Sequence, residues 1–243
     1  MTDFFVALRF MTRLPTPPVT DERAADIGAA APWLPAVGAV VGALVALAVA
    51  LGAGVSPWVG ALLGVLAWVL VTGGLHLDGL GDVADGIGAA HGNAERFLEV
   101  ARDPHTGSFG VMAIVLQIAA KLILLATMAA TAEADLASLV VVLALVGAWA
   151  RWGVLVIASA VPPLGQGLAS RLAAGVEGRI AGVLGIALTI VSLFAAPILV
   201  AAVPLALGLA LYWRLRIGGV NGDAHGASIE VMESALLLLL VMV

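Results

Sequence analysis

The sequence predicts an all-α integral membrane protein, a bundle of about six to seven transmembrane helices with a cytoplasmic N-terminus. Hydrophobic residues make up 62% of the 243 residues, charged residues make up 11%, and the mean hydropathy is +1.13. Soluble domains average about 25% charged residues. The apolar residues are also gathered in long runs, and the arginines fall in alternate connections between those runs.

Seven apolar runs, taken in chain order, predict the membrane-spanning helices. They lie at 33–52, 58–75, 108–129, 137–159, 181–196, 199–213 and 227–243. A helix that crosses a hydrocarbon core about 30 Å thick needs about 20 apolar residues. The fifth and sixth runs share one stretch, where we expect Pro197 or Pro204 to make the break. One kinked helix there would leave six spans.

The loop arginines predict the orientation, because cytoplasmic loops carry an excess of Lys and Arg. They are Arg9, Arg13, Arg23, Arg96, Arg102, Arg171, Arg179, Arg214 and Arg216. A seven-span chain with its N-terminus inside places all of them on the cytoplasmic side. We therefore expect a multi-pass membrane protein whose chemistry takes place on the cytoplasmic side.

Composition excludes several classes of chemistry. The chain has no cysteine, so it has no disulfide, no thiolate nucleophile and no cysteine-ligated metal. A formal net charge of −5 argues against a nucleic-acid partner, which would require a basic stripe. No linker interrupts the chain, and we expect residues 1–243 to form a single transmembrane catalytic domain. A homo-oligomer is left open.

Three aspartates in "GGLHLDGLGDVADGIGAA" (73–90) follow the second apolar run. Asp78, Asp82 and Asp85 are spaced i, i+4 and i+7, which places them on one face if the segment is helical. Such a stripe repels itself, and a divalent cation would reverse that balance. Oxygen ligands suit Mg²⁺ or Mn²⁺, commonly completed by substrate phosphate. The alternative is a polar helix end whose acids meet water.

A second acidic group lies in "GGVNGDAHGASIEVMES" (218–234). Asp223, Glu230 and Glu233 can line one side of a helix. Ionisable groups at membrane depth usually face a bundle interior or an aqueous cavity. Compensation of the helix dipole is the alternative, and it explains Asp223 better than Glu233.

The stretch between these groups, "ERFLEVARDPHTGSFG" (95–110), carries candidate phosphate-binding residues. Arg96, Arg102 and Asp103 lie just before the third apolar run. Arginine suits bidentate phosphate recognition, although each arginine alone is better explained as a marker of topology.

Lys121 lies well inside the third apolar run, where a lone cation is expensive unless it is paired. Its candidate partners are Glu230, Glu233 or an acid of the first group. Arg151 lies inside the fourth run and needs a separate explanation. His76, His91 and His225 are weaker signals.

These segments together resemble the cobalamin synthase family, the adenosylcobinamide-GDP ribazoletransferases. "FMTRLPTPP", "GGLHLDGLGDVADG", "RDPHTGSFG", the Lys121 within the third run and "GGVNGDAHGASIEVMES" occur in the family's order over essentially the whole chain. The resemblance implies the last step of the vitamin B12 nucleotide loop, with Mg²⁺ as cofactor. In that step a hydroxyl of α-ribazole or its 5'-phosphate attacks adenosylcobinamide-GDP, and GMP leaves.

The residues and the resemblance together predict a site of three overlapping groups. The catalytic residues are Asp78, Asp82, Asp85 and Glu230; the metal ligands are Asp78, Asp82, Asp85, Asp223 and Glu230; the substrate-binding residues are Arg13, Arg96, Arg102, Asp103, Lys121 and Glu233.

Two other functions remain open at this stage. The acidic motif also resembles that of the CDP-alcohol phosphatidyltransferases, which perform the same chemistry on a lipid-linked diphosphate. An ion-coupled transporter with intramembrane carboxylates is the more distant alternative. Transporters commonly show repeated halves with broken helices, and no repeat is visible here.

Overall fold

The computed structural model describes residues 2–19, 26–90, 92–101, 103–131 and 136–243. Within these ranges the chain forms α-helices and two 3₁₀-helices, with no β-strand beyond an isolated bridge between Pro163 and Val220. The α-helices are α1 (Thr2–Met11), α2 (Ile27–Ala30), α3 (Leu34–Ala53), α4 (Pro57–Thr72), α5 (Leu75–Ala90), α6 (Ala94–Val100), α7 (Ser108–Thr131), α8 (Leu136–Ala160), α9 (Leu168–Gly175), α10 (Gly178–Ala195), α11 (Ala202–Arg216) and α12 (Gly222–Val241).

The predicted all-α membrane bundle is confirmed. Six helical segments of the described chain are long and apolar enough to cross a membrane. They are Ile27–Ala53, Ser108–Ala130, Leu136–Ala160, Gly178–Ala195, Pro197–Arg216 and Gly222–Val241. The pair formed by α4 and α5 is a seventh if it counts as one bent span.

The second apolar run ends at a sharp corner. Helix α4 stops at Thr72 rather than at 75, and α5 leaves it at an angle of 86°. Gly73 and Gly74 make the corner with φ of +65° and +72°, a left-handed conformation that costs glycine little because it has no Cβ. The aspartate segment therefore begins a new helix instead of extending α4.

The break between the fifth and sixth runs is at Pro197. Helix α10 ends at Ala195, and a 3₁₀-helix over Pro197–Ala201 leads into α11. Proline lacks the N–H that a continuing helix would use, and its ring clashes with the preceding turn. Pro204 lies in the first turn of α11, where backbone N–H groups need no partner within the helix.

Helix α8 forms the centre of the bundle. It packs against α3, α10, α11 and α12, and most of its length is buried. Its contact with α3 is a direct approach of backbones, because a Cβ on Gly38 or Gly42 would overlap the backbone at Gly147 or Leu143. Small residues permit such approach between membrane helices.

Candidate active site

Helix α5 presents its three aspartates on a single face. Asp78 is exposed, whereas Asp82 and Asp85 are half-buried. The opposite face, at Leu80 and Ile87, lines an apolar groove against α11 and α12. The predicted carboxylate stripe is therefore present, and it is separated from that groove by the body of the helix.

Asp85 holds the start of α7. Its Oδ2 accepts a hydrogen bond from the Gly107 backbone N–H at 2.7 Å, and its Oδ1 accepts one from Gly110 N–H at 2.9 Å. A Cβ at either glycine would overlap this carboxylate. Both oxygens of Asp85 thus accept hydrogen bonds from free backbone N–H groups at the N-terminus of α7. The helix dipole at that N-terminus also favours the negative charge of the carboxylate.

Asp223 approaches the stripe from α12. That helix begins at Gly222 rather than at 227, because Asn221 caps it by accepting a hydrogen bond from Ala224 N–H at 2.9 Å. Asn221 Nδ2 also donates to Asp223 Oδ2 at 2.8 Å. The additional turn brings Asp223 into the first turn of the helix.

The two helices meet closely at these acids. A Cβ on Gly79 of α5 would lie 3.1 Å from both Cα and O of Asp223, and one on Gly226 of α12 would lie 3.4 Å from Cα of His76. At this separation the charges of Asp78 and Asp223 both act on Asp82. Carboxylates from two helices therefore form one acidic surface at this end of the bundle, which we call the aspartate site (Asp78, Asp82, Asp85 and Asp223).

The aspartate site supplies only carboxylate oxygens as possible metal ligands. Among the residues that the structure describes, no group of three or more acidic or histidine side chains is arranged to hold a metal ion. Mg²⁺ is usually bound by one or two carboxylates, with water and substrate phosphates completing its octahedron. Carboxylate oxygens are ligands of the kind that Mg²⁺ prefers, and the metal-binding roles of Asp78, Asp82, Asp85 and Asp223 stay predictions.

Glu230 and Glu233 belong to a separate cluster of buried charges deeper along α12. Lys121 Nζ of α7 lies 2.7 Å from Glu230 Oε2 and 2.6 Å from Glu233 Oε2. Arg151 Nη1 of α8 binds Glu233 Oε1. All four residues are at most 3% exposed, and their charges sum to zero when all are ionised. The predicted pairing of Lys121 with Glu230 and Glu233 is confirmed, with both partners engaged. We call these four residues the charge network.

Polar neighbours satisfy most of the charge network, whereas Arg151 Nε has no hydrogen-bond partner among the described residues. Trp68 Nε1 donates to Glu233 Oε1 at 3.2 Å, and its ring lies 4.1 Å from Lys121 Nζ. Gln117 Nε2 lies 2.7 Å from Glu230 Oε2 and also contacts Ser234 Oγ at 2.8 Å. Arg151 Nη2 lies 3.4 Å from His76 Nδ1. Buried charges are tolerated when such partners satisfy them. The network thus joins α4, α5, α7 and α8 to α12.

The predicted site residues therefore fall into two places. The structure groups Asp78, Asp82, Asp85 and Asp223, whereas it holds Glu230, Glu233 and Lys121 in the charge network. The catalytic and metal-binding roles of Glu230, and the substrate-binding roles of Lys121 and Glu233, stay predictions.

Of the remaining predicted residues, the three that the structure describes (Arg13, Arg96 and Asp103) are exposed. The Arg13 side chain covers Gly73 at the α4–α5 corner, since a Cβ there would lie 2.5 Å from Arg13 Nε. Arg96 forms an exposed ion pair with Glu99 at 2.7 Å. Arg102 lies outside the described residues.

Asp103 is tied into its own loop. Its Oδ1 accepts a hydrogen bond from His105 backbone N–H at 2.9 Å and lies 2.7 Å from His105 Nδ1. The backbone hydrogen bond, followed by that of the imidazole, holds the pKa of Asp103 below its usual value. Asp103 is therefore an anion near neutral pH.

Sequence reasoning assigned no role to three polar residues of the interior, although it singled out Arg151 and His76. Arg151 is fully buried, His76 bridges Arg151 and the Met11 sulfur, and Gln117 binds Glu230. Arg151 alone carried a clear signal, because an arginine inside a long apolar run must have a partner. His76 and Gln117 are recognised only from the helices that pack against them.

Comparison with known proteins agrees with this description. The family model described as cobalamin-5-phosphate synthase matches residues 3–241. The chain is similar to the adenosylcobinamide-GDP ribazoletransferases of Thiobacillus denitrificans (47% identical, covering 98% of this chain and 94% of the relative) and Laribacter hongkongensis (47%, covering 99% and 97%). The enzyme of that name from Novosphingobium aromaticivorans is 45% identical, covering 98% of this chain and 95% of the relative. No solved structure matches the chain.

Proposed function

Because the chain belongs to the cobalamin-5-phosphate synthase family, we propose that it joins α-ribazole, or α-ribazole 5'-phosphate, to adenosylcobinamide-GDP with release of GMP. The observation that carries this proposal is the match over residues 3–241, within which the family-like acidic segments meet at one site. The reaction would occur in a multi-pass membrane protein, as the six apolar helices require.

The transfer balances as a displacement at phosphorus. A ribose hydroxyl oxygen forms a bond to the phosphorus attached to cobinamide. The bond from that phosphorus to the bridging oxygen of the diphosphate breaks, and the oxygen leaves with GMP. The hydroxyl proton must pass to a base. Such transfers depend on positioning and on neutralising charge more than on covalent help from the protein.

The carboxylates of the aspartate site suit two tasks in this reaction, which are holding the metal ion and accepting the hydroxyl proton. We assign metal holding to Asp78, Asp82 and Asp223, and one of these carboxylates would accept the hydroxyl proton. Mg²⁺, when bound, would neutralise the diphosphate oxygens and the leaving GMP. Both oxygens of Asp85 bind the start of α7, so this residue would position the loop before α7.

The charge network would have a structural role, because it would hold the helices that carry the aspartate site in place. Lys121, Glu230 and Glu233 are buried and mutually paired, and they join α7 and α8 to α12, which carries Asp223. We therefore propose that they position α12 against α5. Arg13, Arg96 and Asp103, which are exposed, and Arg102, which lies outside the described residues, remain as candidate contacts for the guanosine diphosphate and its partner substrate.

We also propose that the site faces the cytoplasm from the cell inner membrane. The Lys and Arg bias of the loops supports this orientation. Arg13 follows α1, Arg96 lies in α6 and Arg214 lies in the last turn of α11, at the end of the bundle where α4 ends and α7 and α12 begin. That end carries the aspartate site.

A purified-protein assay tests the proposal. Protein in detergent with Mg²⁺, adenosylcobinamide-GDP and either form of α-ribazole should release GMP and form the joined corrinoid in equal amounts. The same preparation should release no CMP from CDP-diacylglycerol. CMP release without GMP release would instead identify a phosphatidyltransferase, and uptake into sealed vesicles without GMP release would identify a transporter.

A further inference from the structure

A mostly apolar cavity lies next to Asp223 of the aspartate site. Helices α1, α5, α8, α9 and α12 line it, with Met11, Val154, Leu172 and Ile229 among its apolar walls. Its volume is about 110 Å³, whereas a site for a single water needs only about 10–15 Å³. The cavity therefore has room for a small ring system.

One wall of this cavity carries the imidazole of His225, whose ring nitrogens are unsatisfied among the described residues. His225 is 5% exposed, and neither of its ring nitrogens has a hydrogen-bond partner within the described part of the chain. His76 lines the same cavity but is engaged on both sides, with Arg151 Nη2 and with Met11 Sδ, each at 3.4 Å. Buried polar groups are normally satisfied, so an unpartnered one in a cavity points to a ligand.

The cavity leads to the aspartate site through Asp223. This half-buried residue lines the cavity, and the negative charge of Asp78 acts on it. A ligand whose ring fills the cavity would therefore place its next group beside the carboxylates that hold metal and base in the proposed reaction.

We infer that this cavity binds the benzimidazole ring of α-ribazole and that His225 donates a hydrogen bond to its free ring nitrogen. The inference rests on the proposed function. The base is a planar apolar bicycle with one nitrogen attached to ribose and the other free to accept. A neutral imidazole offers one N–H donor. The ribose would then lie at Asp223, where its hydroxyl has to react.

The test compares two ligands on full-length protein in detergent with Mg²⁺. One is α-ribazole, and the other is the matching indole riboside, in which a C–H replaces the free nitrogen. His225→Leu should weaken α-ribazole binding about tenfold, the effect of losing one hydrogen bond, and should leave indole riboside binding unchanged. His225→Gln, which keeps an N–H donor, should restore part of the α-ribazole affinity. Ile229→Val is the matched control and should weaken both ligands equally.

Steady-state kinetics separates recognition from a structural role. His225→Leu should raise KM for the ribazole substrate, with kcat and the KM for adenosylcobinamide-GDP unchanged. It should also raise the thermal stability of the ligand-free protein, because it removes an unsatisfied buried polar group.

The inference is overturned if His225→Leu weakens both ligands equally, weakens neither, or lowers the stability of the ligand-free protein. A wild-type protein that binds α-ribazole through His225 but releases no GMP would overturn the proposed function and leave the cavity assignment intact. GMP release that His225→Leu leaves unchanged even at subsaturating α-ribazole would overturn the cavity assignment and leave the proposed function intact.

Discussion

Replacing Lys121 by Met tests whether the charge network holds the bundle together. Methionine keeps the length and the apolar stem but removes the cation between Glu230 and Glu233, which lie 2.7 and 2.6 Å from Lys121 Nζ. Breaking a buried ion pair costs about 3–5 kcal/mol, because the remaining charge is left uncompensated. At about 2–4 °C per kcal/mol for a chain of this size, the apparent Tm should fall by about 6–20 °C.

The geometry also predicts which second substitution restores stability. Arg151 still neutralises Glu233 in the Lys121→Met protein, whereas Glu230 has no other cation within ion-pair distance in the described chain. Adding Glu230→Gln leaves one cation, Arg151, in contact with one anion, Glu233. The double variant should therefore recover most of the stability that Lys121→Met loses. Adding Glu233→Gln leaves Arg151 and Glu230 each without a charged partner and should recover less.

The assay is thermal unfolding in detergent, followed by tryptophan fluorescence, for the single and double variants. Arg96→Met is the matched control, because Arg96 pairs with Glu99 at the same 2.7 Å but both side chains are more than half exposed. It should change stability by less than about 1 kcal/mol. The reasoning is refuted if Lys121→Met is no more harmful than Arg96→Met, or if Glu230→Gln rescues no better than Glu233→Gln.

Three further predictions concern the aspartate site. Asp82→Asn should lower transfer by about 100-fold or more, as loss of one charge at a reacting centre does, with unchanged thermal unfolding; near-normal turnover at saturating Mg²⁺ would contradict the metal role. Chelation with EDTA should abolish GMP release, and Mg²⁺ should restore it; full activity after exhaustive chelation would remove the metal from the reaction. Gly110→Ala should cost about 1–3 kcal/mol of stability because its Cβ would overlap the Asp85 carboxylate. Gly208→Ala, at a helical glycine with no neighbour within 4 Å, should be neutral or stabilising, and equal effects of the two substitutions would argue against the Asp85 contact.

Local pattern was sufficient for the helices and for the aspartate stripe. The apolar runs anticipate the spans because a bilayer demands a minimum apolar length from each helix by itself. The spacing of Asp78, Asp82 and Asp85 likewise predicts a shared face, since helix periodicity depends only on neighbouring residues. Where the expected bounds failed, at Thr72 and at Gly222, the cause was a glycine corner in one case and an asparagine cap in the other.

Contacts between helices could be predicted from the sequence only for a charge whose burial without a partner would be costly. Lys121 had to find an acid because an unpaired cation in an apolar span is costly, and only a few acids were available. The same argument could not separate Glu230 from Glu233, nor indicate that Arg151 would share Glu233. Asp85 appeared equivalent to its two neighbours, yet it alone binds the start of α7.

The sequence by itself determined that this chain is a membrane-embedded helical protein of the cobalamin synthase type, because apolar length, helix period and the order of its motifs are properties of contiguous residues. Tertiary structure alone decided that Asp223 approaches Asp78 and Asp82 and that Glu230 and Glu233 lie in a separate network. It also decided that His225 faces a cavity with no hydrogen-bond partner in the described part of the chain. These contacts join residues far apart in the chain, 82 positions for Arg151 with Glu233 and 112 for Lys121 with Glu233. They depend on where glycines such as Gly79 and Gly226 let helices approach. Such approach is a property of packed surfaces that no single segment contains.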